Sequence, residues 1–188
     1  MNIVVLSGSN VGTNTKTVAT HVEKLIKKEK PDATTNLLDL ADYTIQFSDG
    51  RNYFDYEGDT KYVAETVMNA DVIIIGTPIF QASIPATLKN VFDLIPVNGL
   101  QGKVVSIFVT AGSVKHYLIA EQQLKPILSY MKAQVVPTYV FIEEADFLRG
   151  EIVNDDIHFR LERLVEDTML TFEAVQFMEE KQEEKYGF

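Results

Sequence analysis

"NIVVLSGSNVGTNTKTVATHVEKLI", residues 2–26, runs from an unbroken apolar segment through a loop rich in glycine, hydroxyls and amides into an amphipathic pattern. The opening NIVVLS is short and apolar at almost every position, the pattern of a strand covered on both faces. Over residues 14–29, Val18, Val22, Leu25 and Ile26 recur at three- and four-residue spacing, which marks a helix with one buried stripe. A strand that enters a helix through a short loop starts a βαβ unit, and its parallel return strand must come from further along the chain.

Candidate return strands follow at DVIIIGT (71–77), KVVSIFVT (103–110) and VVPTYVFI (135–142), with a weaker one at TTNLLDL (34–40). Helical patterns separate them. Residues 60–69 place Val63, Val67 and Met68 on one face, and 85–95 place Leu88, Val91, Phe92 and Ile95 on one face behind Pro85, which suits a first helical turn. Residues 114–132 and 155–180 complete the set. Right-handed crossovers between such elements predict an α/β fold with a doubly wound, five-stranded parallel sheet in the order 2-1-3-4-5. Ligands of these sheets bind beyond the carboxyl ends of the strands where the order reverses, here between the first and third strands.

The 188 residues suit one domain, drawn over 1–175, with 176–188 as a charged helix end. A net charge of −10 argues against a general nucleic-acid surface, because backbone binding rests on lysine and arginine, so any anionic ligand must be held locally. The chain has no cysteine, which removes disulfides, thiolate metal sites and a cysteine nucleophile. With no basic leader and no apolar run near the ~18 to 20 residues that span a bilayer, a cytoplasmic protein without a membrane partner is expected.

Three loops should meet at the reversal point. SGSNVGTNTKT (7–17) leaves the first strand for a helix N-terminus, whose unpaired N–H groups and partial positive charge can hold phosphate without a cluster of cations. Ser9, Thr13, Asn14, Thr15 and Thr17 could add donors, and Gly8 and Gly12 let the backbone turn. The alternative is that Thr13 or Asn14 only caps the helix. The loop is neither a P-loop nor a GxGxxG fingerprint. GTPIFQASIP (76–85) leaves the third strand, with Ile79 and Phe80 either tucked into the core or facing a flat apolar ligand. TAGSVKH (110–116) follows the fourth strand, and Ala111 and Gly112 leave room beside the main chain. A fourth stretch, FSDGRNYFDYEGD (47–59), reads as a long connection or a partner surface.

Together SGSNVGTNTKT, TPIFQASIPATLKNVFDLIP and TAGSVKHYLIAEQQLKPIL resemble the phosphate loop, flavin-ring loop and third segment of the flavodoxin-like NAD(P)H-dependent FMN reductases, over about residues 1–175. The middle motif, with Pro78, Ser83, Pro85, Leu88, Lys89, Asn90 and Asp93, is the most specific. The resemblance implies hydride transfer from NADPH to FMN. It also implies that Ser9, Thr13, Asn14 and Thr15 hold the phosphate, that Pro78, Ile79, Phe80 and Gln81 line the isoalloxazine, and that Thr110, Ala111 and Gly112 close the other side. No catalytic side chain and no metal are implied, and a homodimer or homotetramer is. Many members carry an arginine where this chain has Val11, leaving amides, hydroxyls and Lys16 for the phosphate.

The third segment is similar to that of reductases that feed reduced FMN to two-component monooxygenases, such as those acting on alkanesulfonates, which implies a monooxygenase partner. Those relatives carry an inserted residue, often tyrosine, in a π-turn, and Gln122 stands in its place here. Pro126 independently predicts irregularity, since it cannot donate to the Gln122 carbonyl; a π-turn or a simple proline kink would follow. Two further readings stay open: a reductase of quinones or azo compounds that retains FMN, and a flavodoxin-type electron carrier. His21 and His158 read as surface residues, and His116 as a helix-start residue. Arg51, Lys89 and Lys115 are candidate contacts for an NADPH 2′-phosphate.

Overall fold

The structure, a computed structural model, describes residues 1–187. Its main sheet is built from β1 (Asn2–Ser7), β2 (Thr34–Asp39), β3 (Val72–Pro78), β4 (Val104–Ala111), β5 (Gln134–Val135) and β6 (Val140–Glu143). The strands are parallel in the order β2-β1-β3-β4-β5, with β6 also pairing β4. This is the doubly wound sheet that the alternation of strands and helices predicts.

The uninterrupted apolar runs follow from coverage on both faces. Ile3 and Val5 of β1, Val72 and Ile74 of β3 and Phe108 of β4 face α1 (Asn14–Glu29) and α5 (Asp155–Tyr186), packing against Val18, Val22, Ile26, Leu161 and Leu164. Their neighbours Val4, Leu6, Ile73, Ile75 and Ile107 face α2 (Gly58–Met68), α3 (Ala86–Leu94) and α4 (Lys125–Tyr130), through Val63, Val67, Leu88, Val91 and Leu128. Each fully buried aliphatic side chain contributes roughly 1.5–3 kcal/mol. β2 is weak in sequence because it is an edge strand, and only Leu38 and Asp39 at its end are buried.

The fifth predicted strand, 135–142, is two short strands. Val105 pairs with Val135 and Phe108 with Val140, so the edge spends two extra residues between the pairings. Pro137, which has no N–H to give a ladder, sits in the gap. An antiparallel hairpin of β7 (Phe147–Leu148) and β8 (Glu151–Ile152), absent from the sequence reading, leads into α5. The helical reading of 114–132 resolves into a 3-10 turn at Val114–His116, a π-helical segment at Ala120–Leu124 and then α4. The π hydrogen bond runs from Lys125 N–H to the Ala120 carbonyl.

Residues 47–59 are a pinned connection. Ser48 N–H donates to Asn90 Oδ1 at 2.9 Å, Asn90 Nδ2 donates to the Gln46 carbonyl at 2.8 Å, and Asp49 N–H donates to the Tyr56 hydroxyl at 3.0 Å. Asn90, part of the specific motif, therefore fastens this loop to α3. Among the described residues no helix is long and apolar enough to cross a membrane, and no group of three or more His, Asp or Glu side chains could hold a metal ion.

Candidate active site

At the carboxyl ends of β1, β3 and β4 a cleft of about 380 Å³ is lined by Val11, Gly12, Thr13, Asn14, Thr15, Pro78, Ile79, Phe80, Thr110, Ala111, Gly112, Glu144 and Phe147. All three predicted loops reach it. The strand ends that carry the first two loops meet by close backbone approach: Gly8 N–H donates to the Gly76 carbonyl at 2.7 Å, and a Cβ on Gly8 would lie 3.0 Å from that oxygen and from Leu88 Cδ2. Gly76 is more tightly constrained, since a Cβ there would lie 2.1 Å from the Phe108 ring. Gly12 meets the other requirement, with a φ of 80° that turns the loop into α1.

The N-terminus of α1 is open. Thr13 occupies the cap position without a side-chain cap hydrogen bond, and the first turn contains no acidic residue. Its first-turn N–H groups are therefore available to an anion, which answers the capping alternative. Thr15 Oγ1 and Thr110 Oγ1 lie 2.7 Å apart, both buried, and tie this turn to the end of β4. Lys16 does not serve the cradle: its ammonium lies 2.8 Å from Asp39 and 3.1 Å from Asp42, and these partners, Asp39 foremost, raise its pKa. Among the described residues lining the cleft none is Lys, Arg or His.

The loop after β3 forms a tight turn. Phe80 N–H donates to the Ser83 carbonyl at 2.9 Å and Ser83 N–H returns to the Phe80 carbonyl at 3.0 Å. The central residues Gln81 and Ala82 have φ of 49° and 57°, the signature of a type I′ turn without its usual Asn-Gly. Such geometry costs roughly 1–2 kcal/mol per non-glycine residue. Both Ile79 and Phe80 line the cleft, Ile79 while also packing partly against the core and Phe80 while 37% exposed, so Ile79 combines the two expected roles.

Nine of the eleven predicted contact positions line the cleft; Ser9 and Gln81 do not. Ser9 Oγ donates to the Val11 carbonyl at 2.5 Å within its own loop, and Gln81 is exposed at the turn tip. Glu144 and Phe147 were missed. They follow β6, and the rule that ligands lie beyond strand ends applies to that strand as well. Outside the cleft, His158 Nδ1 lies 3.2 Å from His21 Nε2 and His158 Nε2 lies 3.2 Å from the Ile152 carbonyl, so the two histidines form a partnered pair. Burial first, then the charge of His158, lowers the pKa of His21. Arg51 is held by Asp49 and lies over the Tyr56 ring, and Lys89 pairs with Asp93 at 2.6 Å.

A doubly wound sheet, an open helix N-terminus at its reversal point and two backbone-rich loops beside it define a flavodoxin-like α/β protein. The family model described as NADPH-dependent FMN reductase matches residues 1–146. An NAD(P)H-dependent FAD/FMN reductase of Geobacillus thermodenitrificans is 41% identical over 165 residues, covering 87% of this chain and 89% of the relative. An NADH-dependent FMN reductase, SfnF, of Pseudomonas fluorescens is 28% identical over 127 residues, 68% of each chain. Among solved structures, an NADH:FMN oxidoreductase (EMOB) in its apo form superposes with a TM-score of 0.76 at 26% identity, over 90% of this chain and 89% of that one. The chain belongs to the NADPH-dependent FMN reductase family, oxidoreductases that use FMN and a nicotinamide nucleotide.

Proposed function

We propose that this protein reduces FMN with NADPH, that FMN enters and leaves the cleft as a substrate, and that the reduced flavin serves a flavin-dependent monooxygenase in the cytoplasm. The observation that carries the reading is the uncapped N-terminus of α1 in a cleft lined, among the described residues, by no Lys, Arg or His. A grip of amides and hydroxyls is weaker than one with charge-assisted arginine bonds, and it suits a flavin that exchanges. When bound, the two nucleotides supply the redox chemistry themselves, hydride passing from nicotinamide to flavin.

The chain's part is to bind and orient. Thr13, Asn14, Thr15 and the first-turn amides take the phosphate, and Ser9 joins them by releasing the Val11 carbonyl. Pro78, Ile79, Phe80 and Gln81 form one wall, and Thr110, Ala111 and Gly112 the other. The N–H groups of Gln81 and Ala82 lie outside the bridge that closes their turn and are free to donate to a ligand. The Glu144 carboxylate, 3.9 Å from where a Cβ on Gly112 would stand, repels phosphate from that end and favours the α1 end. Lys115, three residues past Gly112 and without a side-chain partner among the described residues, meets the NADPH 2′-phosphate. The chains pair as a homodimer or homotetramer through the groove between α3 and α4, whose lining includes Phe92, Ile95, Ile127 and Met131, with Val97 and Tyr130 more than half exposed.

Steady-state NADPH oxidation with free FMN, measured beside the flavin content of gel-filtered protein, tests the reading. Turnover on free FMN with little retained flavin is the expected result. Retained flavin with turnover only on a quinone or azo dye would make FMN a prosthetic group, and retained flavin without NADPH oxidation would make the protein an electron carrier.

A further inference from the structure

The strained turn beside the cleft has a second support, 40 residues away in sequence. Ser83 Oγ donates to Gln123 Oε1 at 2.5 Å, and Gln123 Nε2 donates to the Ala82 carbonyl at 3.2 Å. One side-chain amide thus uses both its ends on two consecutive residues of the turn. Gln123 belongs to the π-helical segment, and the residues at the two ends of that segment, Ala120 and Leu124, are fully buried, so the base of its side chain is fixed by the core.

We propose that Gln123 is a positioning residue: from the π-helical segment it clamps the Phe80–Ser83 turn in the left-handed geometry that binding requires. The reason lies in the turn's own composition. Neither Gln81 nor Ala82 is glycine, asparagine or aspartate, the residues that tolerate positive φ. The two bridge hydrogen bonds join only the ends, Phe80 and Ser83. A strained backbone persists where its surroundings over-determine it, and Gln123 is the side chain that does so here. Holding the turn keeps the Gln81 and Ala82 N–H groups unpaired and presented together, and fixes Phe80 at the cleft. A site whose donors are set before the ligand arrives binds more tightly than one that must order a loop. The irregular helix thereby acts on the cleft through the turn, while Gln123 itself lies outside the cleft lining.

The functional half of this proposal rests on the flavin reading of the cleft, and the structural half does not. In Gln123→Ala the FMN dissociation constant and the KM for FMN should rise about tenfold, the loss of one to two hydrogen bonds from a preorganised turn, with kcat changed less than about twofold. Without any ligand, amide exchange at Ser83 N–H should accelerate by about tenfold while β3 amides keep their protection. Adding Ala82→Gly to Gln123→Ala should restore both quantities, because glycine takes positive φ without a clamp. A merely structural role would show instead as a lower melting temperature that Ala82→Gly does not repair. Unchanged FMN affinity in Gln123→Ala, or failure of Ala82→Gly to recover it, overturns the proposal. If the unmodified protein binds no FMN, the flavin reading falls, and the Ser83 exchange rate still decides whether the clamp exists.

Discussion

Replacing Thr15 by valine removes a hydroxyl that lies 2.7 Å from Thr110 Oγ1, where both residues are buried and belong to α1 and β4. The substitution nearly conserves volume, so the loss is electrostatic: one hydrogen bond disappears and the Thr110 hydroxyl is left without its partner. A buried polar group stranded in this way costs roughly 1–3 kcal/mol. For a chain of this length that is a fall of about 2–12 °C in melting temperature. Thr110→Val should cost a similar amount for the same reason. The double variant should be much less destabilised than the sum, because two matched apolar side chains leave nothing unpaired; a coupling of about 1 kcal/mol or more is expected. Urea denaturation of the four proteins at one pH measures the cycle. Additive losses, or singles within about 0.5 kcal/mol of the parent, would refute the idea that this hydroxyl pair ties α1 to β4.

Gly76→Ala should destabilise the protein by about 3 kcal/mol or abolish soluble expression, since its Cβ would lie 2.1 Å from the Phe108 ring, and Phe108→Leu in the same chain should recover part of the loss on thermal melting. Val11→Arg should tighten FMN binding by about tenfold at low salt and much less at high salt, as an exposed cation added to a neutral cradle must, which fluorescence titration at two ionic strengths reads. Lys16→Met should leave FMN affinity within about threefold, because Asp39 and Asp42 already occupy that ammonium. The His21 pKa lies below its ordinary value, so the unfolded chain binds the extra proton first; stability is intact above about pH 6.5 and declines as pH falls toward the folded value. Glu162 and Lys24 act on the same ring in opposite senses, and His21→Gln should flatten the urea-midpoint profile below about pH 6.5. Lys115→Ala should raise the KM for NADPH and leave that for NADH within about twofold, as expected of a side chain that meets the 2′-phosphate.

Strand order was readable because both faces of β1, β3 and β4 are covered, which forces continuous apolar runs, and because α1 and α3 keep regular periodicity. The reading weakened where tertiary context takes over. β5 and β6 share one apolar stretch in sequence and were read as a single strand, although Pro137 inside it has no N–H to give a ladder. The loop at 7–17 was legible as a polar entry into a helix from its hydroxyls and amides, but the commitment of Lys16 to Asp39 and Asp42 was not, because that pairing joins the first turn of α1 to the end of β2 and the turn after it. Glu144 and Phe147 reach the cleft from a 3-10 turn and the start of β7, a stretch whose own sequence has no phosphate or ring signature. The pairing of His21 with His158 joins residues 137 positions apart that no local pattern connects. Pro126 announced an irregular helix, yet the contact from Gln123 to Ala82 and Ser83 depends on how that helix lies against the turn.

The most direct test of the account compares FMN with riboflavin as acceptor of electrons from NADPH, in steady state, at low and high ionic strength. If the open end of α1 and its hydroxyls grip the phosphate, kcat/KM for FMN should exceed that for riboflavin by about tenfold or more, and the advantage should largely survive added salt because helix amides close to the anion are poorly screened. Equal efficiency with the two flavins would contradict the phosphate cradle, and no oxidation of NADPH with either would contradict the proposed reaction itself.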